Sequence, residues 1–145
     1  MEFEHLYLLG DADLRGALHV CPQETIEDEF ALLRGEVKPK VPVVFVHSMG
    51  KNPMDLIGTE YPALYLFSDR VFELFRSNGF TGWDTYPVEV YDKDGKLIEG
   101  YQGISIYGSC GPIDNSMSEV LLKDPITPKG KPYRVWKGLY FDLDT

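Results

Sequence analysis

Apolar and polar positions along this chain follow two periods. Around residues 25–35, Ile26, Phe30 and Leu33 fall at i, i+4 and i+7, one stripe of a helix. Thr25 stands where a cap is needed, Glu27, Asp28 and Glu29 fill the first turn, where the helix dipole favours acids, and Gly35 stops it. A second helix is predicted from Ser68-Asp69 to Asn78-Gly79, with Val71, Leu74 and Phe75 on its core face. Elsewhere the apolar runs are short or alternate with period two. Residues 3–9, 41–46 and 63–67 read as strands, with Pro42 near a strand start, where a missing N–H is tolerated. Residues 86–91 alternate and Asp94-Gly95 is a tight-turn signal, so a hairpin is expected, returning from Leu97 through Tyr101 to Tyr107. Residues 119–123, 133–136 and 139–141 are shorter strand candidates, and residues 124–132, with three prolines and a glycine, form a loop. The pattern predicts one α+β domain over residues 1–145, an antiparallel or mixed β-sheet with two short helices. The last strand runs into the terminus without a polar tail, so the sequence reads either as an N-terminal fragment of a longer chain or as one whose last strand completes the sheet.

Composition narrows the function classes. Of 145 residues, 43% are hydrophobic, enough for a packed core and too many for a wholly disordered chain. No apolar run approaches the roughly 20 residues of a membrane span, and no basic-then-apolar leader opens the sequence, so a cytoplasmic protein without membrane partners is expected. The formal charge is −9, which argues against a nucleic-acid binder. That charge is concentrated: residues 1–37 hold nine acids and two bases, a net of −7. Such a run is either a solvated surface or an acidic docking face for a basic partner, which would raise association rate and select partners. On the second reading Glu24, Glu27, Asp28 and Glu29 are the candidate partner-binding residues.

Candidate catalytic chemistry is sparse. Val46-His47-Ser48-Met49-Gly50 follows an apolar strand and is similar to the nucleophile elbow of esterases, but β-branched Val46 occupies the position that needs a small residue. Cys21 and Cys110 are far apart, with no second cysteine or histidine at metal-ligand spacing; a disulfide scaffold and a zinc site are not expected. His5, His19 and His47 have no metal-ligand spacing either, and no phosphate loop is present. No cofactor, metal or catalytic residue is therefore assigned. A small hydrolase using Ser48 or Cys110 is the alternative, and a structural domain that self-associates through a sheet edge or through the aromatic helix-to-strand connection is another. Among the aromatic residues of the middle third, Trp83 and its neighbour Asp84 sit in a helix-to-strand connection, a favoured place for a binding anchor.

One block carries a resemblance. Ser68-Asp69-Arg70, then Leu74, Gly79-Phe80-Thr81-Gly82-Trp83 and Tyr86-Pro87-Val88-Glu89 resemble a group of bacterial proteins classed with the immunity proteins of polymorphic toxin systems. The shared features are a short helix beginning S-[DE]-R, a glycine-bounded connection and a strand Y/F-P-V-E; Gly108-Ser109-Cys110-Gly111-Pro112-Ile113-Asp114 looks like the group as well. The resemblance covers about residues 60–115 and brings no catalytic residues with it. It implies a non-enzymatic protein that neutralises a cognate toxin by direct association. Many such toxins are basic nucleases, which an acidic inhibitor would match in charge.

Overall fold

The computed structural model describes residues 15–108 and 116–138. They belong to two compact units, divided between residues 108 and 109. The first unit runs β1 (His19–Pro22), α1 (Glu29–Leu33), β2 (Val43–Met49), β3 (Leu56–Thr59), β4 (Tyr65–Ser68), α2 (Asp69–Ser77), β5 (Trp83–Tyr86), β6 (Val88–Tyr91), β7 (Leu97–Ile98) and β8 (Tyr101–Ile106). The strands form one eight-stranded sheet in the order β5-β8-β4-β3-β1-β2-β6-β7. β1 pairs in parallel with β3, and β2 in parallel with β6; the other ladders are antiparallel. The architecture is α+β, dominated by a mixed sheet. In the second unit β9 (Glu119–Lys123) and β10 (Tyr133–Gly138) form an antiparallel hairpin, and the proline-rich run at residues 124–132 is its loop. The strands expected at residues 3–9 and 139–141 lie outside the described residues.

The sheet curls because β5 and β6, consecutive in sequence, pair far apart in it. Pro87 separates them. It has no N–H to give a ladder, and its carbonyl instead accepts the Val43 N–H at 3.0 Å. β5 then lies against β8, β6 against β2, and the curl brings β6 back towards β8. The period-two run expected over residues 86–91 is thus two strands. The hairpin across Asp94-Gly95 forms, with the Asp92 carboxylate accepting the Asp94 and Lys96 N–H groups at 2.8 and 2.9 Å. Its return strand is shorter than the pattern suggested: Gly100, at φ +86°, turns the chain, and β8 leaves to pair with β4 and β5.

Three apolar clusters hold the unit together. Val20, Phe45, Ile57, Leu66 and Val90 are fully buried from five different strands, with Leu18 beside them. The other face of β4 presents Phe67, which with Ile104 receives Phe72 of α2. Fully burying Phe72 contributes roughly 2–3 kcal/mol by area. The third cluster joins Leu32 of α1 to Leu64 and Tyr86. α2 begins and stops where expected, ending at Gly79 with φ +70°. Its core face is centred on Phe72, and Leu74 is 57% exposed, so that part of the predicted stripe is corrected. α1 is also shorter than expected. Asp28, not Thr25, is its N-cap, its carboxylate accepting the Ala31 N–H at 2.9 Å. The start slips by three residues because Ile26 is held outside the helix, its N–H donating to the Tyr61 hydroxyl at 3.1 Å. Ala31 and Leu32 then face the core and Phe30 faces out.

Candidate functional site

Of the nine acids counted in residues 1–37, Glu2, Glu4, Asp11 and Asp13 lie outside the described residues. Glu24, Glu27, Asp28 and Glu29 gather on the β1–α1 segment, and Glu36 follows α1. Glu24, Glu27 and Asp28 are exposed, while Glu29 is half-buried and one of its carboxylate oxygens, Oε2, is buried without a hydrogen-bond partner among the described residues. Glu36 is occupied by Arg34, whose Nε donates to it at 2.7 Å. Asp28 caps α1 with one oxygen. The segment borders a groove of about 330 Å³ between itself and the chain entering β2. Glu24, Thr25 and Ile26 form one wall; Pro39, Val41 and Pro42 form the other. Val41, followed by Pro42, is 74% exposed. Sequence reading placed the acids here but treated Val41 as the start of a buried strand. The strand begins two residues later, at Val43, which leaves Val41 outside the sheet.

Trp83 and Asp84 have internal partners. The Trp83 ring stacks on Phe72 at 5.4 Å and meets Phe75 edge-on at 5.5 Å. Its Nε1 donates to the Phe80 carbonyl at 2.9 Å, and the Arg76 guanidinium covers the ring at 5.6 Å. The connection it closes depends on Gly82, at φ +82°: a Cβ there would meet the Gly108 backbone at 2.8 Å. Asp84 accepts the N–H of Thr85 at 2.8 Å and the Lys38 ammonium at 3.2 Å. Those two contacts, the backbone one first, hold its carboxyl below the usual aspartate range. So the structure does not bring these two residues together with Glu24 and Glu27 in one groove.

The motif Ser68-Asp69-Arg70 is likewise engaged. Ser68 precedes α2, yet its hydroxyl donates to Asp55 at 2.7 Å rather than capping the helix. Arg70 places both Nε and Nη2 on the same Asp55 carboxylate, a fork-on-fork pair. The Arg70 fork and then the Ser68 hydroxyl lower the Asp55 pKa. Asp69 accepts from Gln102 of β8 at 2.8 Å. The three residues therefore lock the β4–α2 corner to the chain before β3 and to β8. Beside the lock, Leu56, Val71, Leu74 and Phe75 line a second groove of about 670 Å³.

Of the two catalytic alternatives, Ser48 is among the described residues and Cys110 is not. Ser48 lies within extended β2, exposed, and not on a strand-to-helix turn, which corrects the elbow resemblance. Gly50, at φ +69°, is required because a Cβ there would overlap the Ala17 carbonyl at 1.7 Å. A nitrogen of the His47 ring lies 2.6 Å from the Gly50 carbonyl, a hydrogen bond that directs the ring along its own turn. Cys21 is half-buried, and burial followed by the charge of Glu60 pushes its thiol up, away from thiolate reactivity. Among the described residues no group of three His, Cys, Asp or Glu side chains is placed to hold a metal ion, and no helix is long and apolar enough to cross a membrane. Neither protein-family models nor curated proteins yield a match to this chain.

Proposed function

We propose that this chain is a non-enzymatic, cytoplasmic binding protein that neutralises a toxin by direct association with a basic domain of it. The observation that carries the reading is the β1–α1 surface, where Glu24 stands on the wall of an apolar groove and Glu27 and Asp28 are exposed next to it. An apolar recess supplies area to bury, and the adjacent acids supply steering and partner selection. The resemblance of residues 60–115 to immunity proteins supports the same reading from a different part of the chain. The test is co-purification with the products of neighbouring genes, followed by titration of any partner with Glu24→Lys/Glu27→Lys. Binding should weaken at least tenfold while the circular dichroism spectrum stays unchanged. Failure of every neighbouring product to bind, or a partner indifferent to the double reversal, would sink the proposal.

A further inference from the structure

β5 is the first strand of the sheet, and among the described residues nothing pairs with its outer side. Tyr107 N–H donates to the Gly82 carbonyl at 2.9 Å, which sets the alternation of the β5–β8 ladder: Asp84 and Tyr86 point their main-chain groups at β8, and Trp83 and Thr85 point theirs outward. Two of those outward groups already have side-chain partners. The Thr85 N–H is taken by the carboxylate of Asp84 at 2.8 Å, and the Trp83 carbonyl by the hydroxyl of Tyr107 at 3.1 Å. Lys38, 46 residues away in sequence, reaches the same Asp84 and sets a positive charge on the edge. An uncovered edge strand is a template for another chain, and charged side chains along it are a recurrent protection. The sequence of this strand, Trp83-Asp84-Thr85-Tyr86, is otherwise rich in strand-forming residues.

We infer that Asp84 and Tyr107, with Lys38 behind Asp84, form a side-chain cover that keeps β5 from pairing with β5 of a second copy. An incoming antiparallel strand must bond to the Trp83 carbonyl and the Thr85 N–H, the two groups the cover occupies. The role is independent of the groove at Glu24, so it stands or falls apart from the proposed function.

The test is the mass of the full chain by light scattering between about 10 μM and 1 mM, for wild type and for Asp84→Ala/Tyr107→Phe. The double variant should gain mass with concentration, approaching twice the wild-type value at the top of the range. Asp84→Asn, which keeps an acceptor for the Thr85 N–H, should follow wild type more closely. If Asp84→Ala/Tyr107→Phe does not fold, Tyr107→Phe alone carries the measurement, since it removes one exposed hydroxyl. A folded uncovered variant with the wild-type mass profile would overturn the assignment, as would wild type already pairing through β5, seen as concentration-dependent protection of the Thr85 amide from hydrogen exchange.

Discussion

Tyr86 is 3% exposed, and its hydroxyl has no hydrogen-bond partner among the described residues. Its ring lies over Gly103, directly opposite on β8, where a Cβ would fall 2.0 Å from the ring. A glycine in a strand normally weakens it; here the missing side chain is the space the tyrosine fills. The ring is therefore needed and the hydroxyl is not. Tyr86→Phe should leave the fold intact and raise unfolding free energy by about 1 kcal/mol in urea titration, because a buried donor without a partner costs roughly that or more. Burial pushes the hydroxyl's pKa well above that of an ordinary tyrosine. The burial penalty on the ionised form leaves stability unaffected below the unfolded value of about 10 and lowers it as pH rises beyond that, where the unfolded chain gives up the proton and the folded one keeps it. Tyr86→Phe should accordingly flatten the alkaline arm of the stability profile. The sequence marks Tyr86 as one member of an alternating strand; only the register with β8 shows which glycine it covers.

At the scale of elements, the junction of β4 and α2 shows what Ser68-Asp69-Arg70 contributes to the fold. Ser-Asp-Arg reads in sequence as a helix start, and α2 does start there. Its side chains turn away from the helix, however, and reach Asp55 and Gln102. Long-range partners of this kind leave no periodic trace, since Asp55 precedes a strand that sequence reading did not assign. The Asp55 carboxyl is lowered in the folded state, so its contribution is present above the ordinary aspartate pKa of about 4 and is lost as pH falls through the folded value. Asp55→Asn should lower the melting temperature at pH 7 and make its acid dependence shallower than that of wild type. A variant with the wild-type acid slope would show that the lock does not contribute. α1 and α2 also show why local stripes mislead in short helices. With only five and nine residues, a small rotation of the buried face, taking in Phe72 and leaving out Leu74, changes which apolar side chain is left in solvent.

Over the whole chain, charge is distributed by segment. Residues 16–33 carry four acids and no base, whereas residues 116–138, which contain the β9–β10 hairpin, carry five bases and two acids. If the β1–α1 surface meets a basic partner, association should slow with salt, by about tenfold between 50 and 500 mM for a strongly steered encounter, while dissociation changes little. Stopped-flow measurement at several ionic strengths checks this, and an association rate flat in salt would remove the steering. Sequence alone determined what is local: the span of α2 with its glycine stop, the turn at Asp94-Gly95, strands β9 and β10 with a proline-rich loop between them, and the concentration of acids near the N-terminus. Each follows from residues a few positions apart, through backbone freedom or side-chain period. Tertiary structure decided the rest. It split the run at Pro87 into strands that pair at different parts of the sheet, set Tyr86 on Gly103, joined Lys38 to Asp84, and left Val41 open beside Glu24. Those outcomes depend on which strands meet across long stretches of chain, and period and propensity carry no term for that.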